Sequence, residues 1–231
     1  MSRANPVHFT PELFGFLRAL KRNNRRDWFQ QHKARYEGHV RQPLLQFVVD
    51  FAPRLARISP HFVADPRPVG GSIFRIHRDI RFSRDKRPYK TAAAAQFRHA
   101  AGKDVHAPGF YLHLEPGEVF AGAGLWRPDA QALTAVRQAI AEDSAGWNKA
   151  VGGKAFGRQC RLGGEALKRA PRGFDPQHPL IEEIKRKDFV ASFPLIEAQV
   201  CAAGFVDRFA RACETMAPLV AFLTRAQGLP F

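Results

Sequence analysis

Apolar residues recur with a helical spacing through the first sixty residues of the chain. Thr10 and Pro11 match an N-cap followed by Pro at the first helical position, and an apolar stripe begins directly after them. The same spacing predicts a second helix near Arg25 and a strongly apolar third helix over 43–58. We therefore expect a helical N-terminal part over residues 10–60.

The period of the apolar residues changes to two in the centre of the chain, residues 72–127. This alternation predicts four short strands, over 72–78, 94–97, 110–114 and 119–125. Pro116 and Gly117 make a turn between the last two strands, which we expect to pair as a hairpin. The centre is therefore predicted to be the sheet-rich part of the chain.

The C-terminal part, residues 128–231, mixes the two patterns. A helix begins near Asp129, and residues 142–177 are predicted to be mostly irregular, with a short strand near 159–162. Three further elements follow: a helix over 179–186, a strand over 189–193 and a helical stretch over 197–225 broken near Gly204. The whole pattern predicts an α+β fold, a single domain over 1–231 with a central, mostly antiparallel sheet and helices from both chain ends packed around it.

Composition and cysteine usage narrow the class of protein. Hydrophobic residues make up 45% of the 231 residues, yet no stretch reaches the roughly 20 consecutive apolar residues of a membrane span. The first residues lack the apolar centre of a signal peptide, so we expect a soluble cytoplasmic protein without a membrane partner. The three cysteines are widely spaced and include no C-x-x-C pair, which argues against disulfides and against a thiol zinc site.

The net charge of +15 is concentrated toward the N-terminus, because the first 90 residues carry +12 of it. Residues 1–41 hold nine Lys and Arg with three acids, and residues 72–90 hold seven with two. A basic surface of this kind attracts nucleic-acid backbone, anionic metabolites or acidic protein surfaces. An anionic small molecule or a nucleic-acid backbone is therefore the partner we expect.

The Arg-rich segment, residues 75–90, has the most unusual composition in the chain. It reads R-I-H-R-D-I-R-F-S-R-D-K-R-P-Y-K, with only Asp79 and Asp85 among seven Lys and Arg. Two carboxylates cannot neutralise seven cations, so the surplus cations must face water or an anion. If the segment begins as a strand, either Arg75 or Arg78 faces the core, where a guanidinium needs a carboxylate or a bound anion.

Three interpretations are open for the Arg-rich segment. A site for an anionic group is the leading one, because the planar guanidinium fork suits phosphate and carboxylate oxygens. Its predicted ligands are Arg75, Arg78, Arg81, Lys86 and Tyr89. The second is an enzyme acting on a phosphorylated or carboxylate substrate. The residues available for its proton transfers are His77, Asp79, Asp85 and Tyr89. The third is a purely structural network of salt bridges.

A metal site is the other chemistry that the central strands suggest. His113 and Glu115 lie two apart on a predicted strand and so share a face, and further histidines are near in sequence. The strand pairing is open, however, and His-x-Glu is a frequent chance pattern. We therefore predict no metal site and no cofactor.

A second basic face precedes the Arg-rich segment, over residues 18–41. Its cations surround Asn23 and Asn24, and Trp28 lies beside them. Together with 75–90 this face offers a nucleic-acid-binding protein as a further alternative, through contacts to the phosphate backbone. The chain contains no motif for reading bases.

The Arg-rich segment also carries the pattern R-x-x-R-D-x-R-F followed by D-K-x-x-Y, from Arg75 to Tyr89. The opening F-T-P-E-L-F-x-F-L and a later run over 171–189 accompany it. In these motifs and in its length, the chain resembles a bacterial family of conserved hypothetical proteins, domain-of-unknown-function family 2461. The resemblance extends over the whole chain and implies no activity.

Overall fold

The structure is a computed structural model that describes residues 6–102 and 106–231, and a five-stranded sheet forms its centre within these residues. The strands are β1 (Ala93–Arg98), β2 (Gly109–Glu115), β3 (Glu118–Leu125), β4 (Arg161–Gly163) and β5 (Phe189–Leu195). Their order across the sheet is β1-β2-β3-β5-β4, and every neighbouring pair is antiparallel. The predicted hairpin is confirmed as β2 and β3, joined at Pro116 and Gly117.

Helices from both ends of the chain pack with this sheet. Those before it are α1 (Pro11–Arg22), α2 (Arg26–Gln31), α3 (Lys33–Tyr36) and α4 (Gln42–Ile58), with a π-helical turn at Glu37–Arg41. Those after β3 are α5 (Ala130–Glu142), α6 (Ser144–Val151), α7 (Lys154–Gln159), α8 (Ile181–Ile184), α9 (Glu197–Val200) and α10 (Phe205–Ala226). The α+β prediction is therefore confirmed. Across the described ranges, no helix combines the length and the apolar character needed to cross a bilayer.

Side-chain alternation gives the sheet two different faces. One face carries fully buried residues such as Leu112, Ala121 and Leu125, and α10 packs against it with its own buried stripe. The opposite face carries Tyr111 and Phe120, which are only partly buried. The packed face holds the sheet in the core, and the open face remains for other contacts.

The predicted strand over 72–78 is wrong, because this stretch makes only isolated bridges. Ile73 pairs with Ala95, and His77 pairs with Tyr89. Residues 76–90 instead fold back on themselves as an irregular hairpin, with the Lys90 N–H donating to the Ile76 carbonyl at 2.8 Å. Proline lacks a backbone N–H, and Pro88 interrupts the ladder at the point where the hairpin would otherwise continue.

The predicted irregular region over 142–177 is also wrong in its first part, which contains α6 and α7. Asp143 caps α6, because its side chain accepts the Gly146 N–H at 2.8 Å. Trp147 in α6 and Phe156 in α7 are buried in the core. Two short, glycine-containing helices with one buried aromatic residue each give a weak periodic signal, so the sequence pattern hides them.

Candidate functional site

A cleft of about 790 Å³ lies over the open face of the sheet. We call it the sheet cleft and define it by its floor and its wall. Its floor is formed by outward positions of β2, β3, β5 and β4, among them Tyr111, Gly122, Ser192 and Arg161. The Arg-rich segment stands along the β1 edge and forms the wall. The segment singled out by its sequence therefore borders the cleft.

Two glycines of β3 lie in the floor of the sheet cleft. A Cβ added to Gly122 would lie 3.4 Å from the Tyr111 side chain. At Gly124, where φ is +127°, an added Cβ would lie 2.0 Å from the carbonyl oxygen of Phe189 on β5. Gly124 is therefore required by both its backbone conformation and the close approach of the neighbouring strand.

Aromatic rings give the sheet cleft an apolar middle. The ring centroids of Phe74 and Tyr111 are 5.9 Å apart, as are those of Tyr111 and Phe120. Trp126 lines the cleft near the end of β3 and is 48% exposed. Rings at these separations present faces and edges that accept a flat apolar group.

Three cations of the Arg-rich segment line the sheet cleft, and two of them share one carboxylate. Arg78 Nη1 lies 2.6 Å from Asp85 Oδ2, and Arg87 Nη2 lies 2.7 Å from the same oxygen. Hydrogen bonds from the side chain and backbone of Arg87, and then from the Arg78 side chain, hold the pKa of Asp85 well below its usual range. Asp85 is therefore ionised at neutral pH and only partly offsets the two guanidinium charges.

Lys90 is the third cation, and its ammonium has no carboxylate partner in the part of the chain that the structure describes. It forms no salt bridge there, and Nζ lies 5.1 Å from the centroid of the Phe74 ring, a cation–π contact. Burial, and then the nearby charge of Arg75, lower the pKa of Lys90. An anion that binds beside a half-buried cation without a counter-charge stabilises that cation.

Four other residues predicted from the Arg-rich segment lie outside the lining of the sheet cleft. Arg75 and His77 are exposed and absent from its lining, and the His77 ring is 6.2 Å from that of Phe29 in α2. Arg81 pairs with Asp79 at 2.7 Å, and the Arg81 side-chain hydrogen bond lowers the pKa of Asp79 to about 2. This pair occupies the solvent-facing tip of the segment.

Lys86 and Tyr89 have structural partners inside the protein. The Lys86 ammonium donates to the Ile80 carbonyl at 3.0 Å. The Tyr89 ring stacks on Phe29 at a centroid distance of 4.2 Å, and burial raises the pKa of its hydroxyl. Tyr89 also exchanges two backbone hydrogen bonds with the side chain of Asn24, both at 3.0 Å. Tyr89 thus attaches the segment to the turn between α1 and α2. It is also one of the residues that line the sheet cleft.

A cluster of titratable groups lies at the β2–β3 turn end of the sheet cleft. The Tyr111 hydroxyl lies 3.0 Å from His113 Nδ1, and His113 Nε2 lies 3.6 Å from Glu115 Oε2. The other oxygen of Glu115 accepts from the Thr91 hydroxyl at 2.8 Å and from the Lys21 ammonium at 3.4 Å. Burial raises the pKa of Glu115, but the hydrogen bonds from Thr91 and Lys21 outweigh it and lower the pKa overall.

Sequence reasoning found part of this site and missed the rest. Arg78 lines the cleft as one of its predicted ligands, whereas the lining residues Arg87, Lys90 and Arg161 were not among those ligands. The alternation in 110–114 was the available signal for the aromatic floor. No local pattern predicts that Arg161 lines the cleft, because β4 joins the sheet by pairing with β5, about thirty residues later in the chain.

Comparison with known proteins gives a family and no activity. No curated protein matches the chain, and no solved structure matches it. A family model described as conserved hypothetical protein (DUF2461) matches residues 12–222, which is most of the chain. The resemblance predicted from the sequence is thereby confirmed, and the chain belongs to the DUF2461 family of conserved hypothetical proteins.

Proposed function

We propose that the sheet cleft binds a small molecule that joins a phosphate or carboxylate group to a flat apolar body. The observation that carries the proposal is Lys90, a half-buried ammonium on the cleft wall with an aromatic ring as its neighbour and no carboxylate partner among the described residues. Arg78 and Arg87 stand beside it and share the single carboxylate of Asp85. This wall therefore retains positive charge facing the cleft.

The rest of the cleft fits the second half of such a ligand. Tyr111, Phe120 and Phe74 supply apolar surface, and Gly122 leaves room above β3. Ligand sites are typically concave and mostly apolar, with a few polar groups that fix the orientation. The volume of about 790 Å³ lies within the usual range for such sites.

Titration with phenyl phosphate and benzoate tests this proposal, with inorganic phosphate as the probe that lacks the apolar body. Calorimetry on the wild type should show phenyl phosphate binding more tightly than inorganic phosphate. Lys90→Met removes the ammonium and keeps a long side chain over Phe74, so we expect the dissociation constant to rise roughly tenfold, as for a lost charge-assisted hydrogen bond. Unfolding by urea should show that this variant keeps its stability.

Arg84→Met is the matched control, since Arg84 is an exposed cation of the same segment that does not line the cleft. It should bind phenyl phosphate like the wild type. If Lys90→Met and Arg84→Met weakened phenyl phosphate binding equally, the effect would come from the net charge of the protein, and the cleft would be rejected as the site. Absence of millimolar binding of all three probes to the wild type would reject the proposal outright.

Nucleic-acid binding is the second candidate, and one contact favours it. The hydrogen bonds between Asn24 and Tyr89 join the turn at the start of the 18–41 region to the Arg-rich segment, so the two basic faces adjoin. Phe82, at the tip of the segment, is 95% exposed, and an exposed aromatic ring of this kind can stack on a base. Single-stranded DNA should then bind with an affinity that falls steeply with salt. Undetectable binding at low salt would remove this candidate.

An enzyme built on His77, Asp79 or Asp85 has weaker support. His77 and Asp79 lie outside the cleft lining, and Asp85 is held ionised between Arg78 and Arg87. Neither carboxylate has the raised pKa that general-acid chemistry at neutral pH requires. The binding role in the cytoplasm is therefore the function we propose.

A further inference from the structure

We propose that His113, Glu115 and Glu118 bind a divalent first-row transition-metal ion, Zn²⁺ or Mn²⁺, at the β2–β3 turn end of the sheet cleft. The proposal goes beyond anion binding and does not depend on it. It rests on the relative positions of three side chains that two facing strands bring together: Glu115 and Glu118 are register partners on either side of the turn. His113 is two residues before Glu115, on the same face of β2.

The donor atoms are spaced for a shared ion. One ligand atom from each of His113, Glu115 and Glu118 lies within 4.8 Å of the other two. Ligands bound at about 2.0–2.2 Å in tetrahedral geometry are roughly 3.4 Å apart. His113 Nε2 and Glu115 Oε2 are 3.6 Å apart, which is too long for a hydrogen bond and close to that ligand spacing.

The same nitrogen of His113 also lacks a hydrogen-bond partner in the part of the chain that the structure describes. Nε2 is buried and, among the described residues, has no hydrogen-bond partner. A buried polar atom without a partner destabilises the folded state. A metal ion bound to Nε2 removes that cost, and Glu115 Oε2 is already the carboxylate oxygen beside it.

The surrounding hydrogen bonds orient two of the ligands. With the proton on His113 Nδ1, that nitrogen donates to the Tyr111 hydroxyl oxygen, and the lone pair of Nε2 points to the cluster. Thr91 and Lys21 hold the other oxygen of Glu115 and leave Oε2 for the ion. Such outer contacts fix the ligand orientation in protein metal sites and strengthen binding.

The ligand set agrees with this class of ion. One imidazole with two carboxylates suits Zn²⁺ or Mn²⁺ better than Mg²⁺ or Ca²⁺, which prefer oxygen ligands alone. Three protein ligands also leave a coordination position for water or for a ligand in the cleft.

Titration of the tag-free full chain with Zn²⁺, in competition with a chromophoric chelator, tests the site. Co²⁺ provides a second readout through its visible absorption. We expect one equivalent of Zn²⁺ to bind tightly to the wild type, and we expect the double variant His113→Phe, Glu118→Gln to lose it. Tyr111→Phe should weaken binding by about 10- to 100-fold, as for other groups that orient a histidine ligand.

His77→Ala is the control for adventitious binding, because His77 is an exposed histidine outside the cluster. It should keep the full equivalent. Retention of the tight equivalent in the double variant, or its absence from the wild type, would overturn the metal site. Phenyl phosphate binding measured with a chelator present separates the two proposals, since the anion site requires no metal.

Discussion

The same strands form both faces of the central sheet, but one face packs in the core and the other borders the sheet cleft. On the packed face, Leu112 and Leu125 are fully buried beneath α10. On the open face, the residues next to them in the chain include Tyr111 and His113, which border a cleft and carry titratable groups. Since successive side chains of a strand point in opposite directions, every second residue serves stability and the residues between them are available for binding.

The difference between the faces is also one of charge. The packed face is apolar, whereas the open face collects Lys90, Arg78 and Arg161 with Asp85, Glu115 and Glu118 around an aromatic middle. The open face can hold charged groups because the sheet cleft lies over it, where water or a ligand can solvate them. Stability and ligand binding should therefore respond to different substitutions on the same strand.

The largest expected effect is on the packed face. Leu112→Ala removes a fully buried side chain from the core and leaves a cavity, so we expect the free energy of unfolding to fall by about 2–5 kcal/mol. Urea denaturation at equilibrium measures this change. Val119→Ala and Val190→Ala are a matched pair, because Val119 is buried on the packed face and Val190 lines the cleft. A larger loss for Val190→Ala than for Val119→Ala would contradict the division between the faces.

A smaller loss of stability is expected when a glycine of the open face is replaced. Gly124→Ala forces an alanine into φ +127° and brings its Cβ against the Phe189 carbonyl. We expect a destabilisation of roughly 1–3 kcal/mol from backbone strain, with a further contribution from displacement of β5. Gly117→Ala is the control, since φ is +85° there and an added Cβ meets nothing within 4 Å. Thermal unfolding that places both variants at the same midpoint would exclude the close approach of β5 as the cause.

Local periodicity explains how much of the fold the sequence could predict. The apolar stripe after Pro11 and the alternation on both sides of Pro116-Gly117 led to α1 and to the β2–β3 hairpin, because each of these patterns is complete within a few residues. The stretch 72–78 has the same alternation, but it meets β1 only around Ile73, through backbone hydrogen bonds with Ala94 and Gln96, and then pairs with its own returning chain. Pairing of that kind depends on tertiary contacts that no local window contains.

The candidate site shows the same division between local and distant information. Counting charges predicted a surplus of cations in the Arg-rich segment, and the segment does border the sheet cleft. The count could not tell Lys90, which faces the cleft, from Arg81, which pairs with Asp79 at the tip. That distinction is made by the fold of the hairpin and by its attachment to Asn24, 65 residues earlier in the chain.

The smallest effect separates the charges on the open face from those in solvent. Asp79 and Asp85 have the same local arrangement, since each accepts the backbone and side-chain N–H groups of the arginine two residues later. Only Asp85 lines the cleft, where its charge competes with an incoming anion for Arg78 and Arg87. Asp85→Asn should therefore tighten phenyl phosphate binding by roughly three- to tenfold at low salt, and the gain should shrink at high salt. Asp79→Asn makes the same change in net charge at the tip and should leave the dissociation constant unaltered. If calorimetry showed the same gain in phenyl phosphate affinity for both variants, the anion would be responding to the charge of the whole protein and not to the cleft.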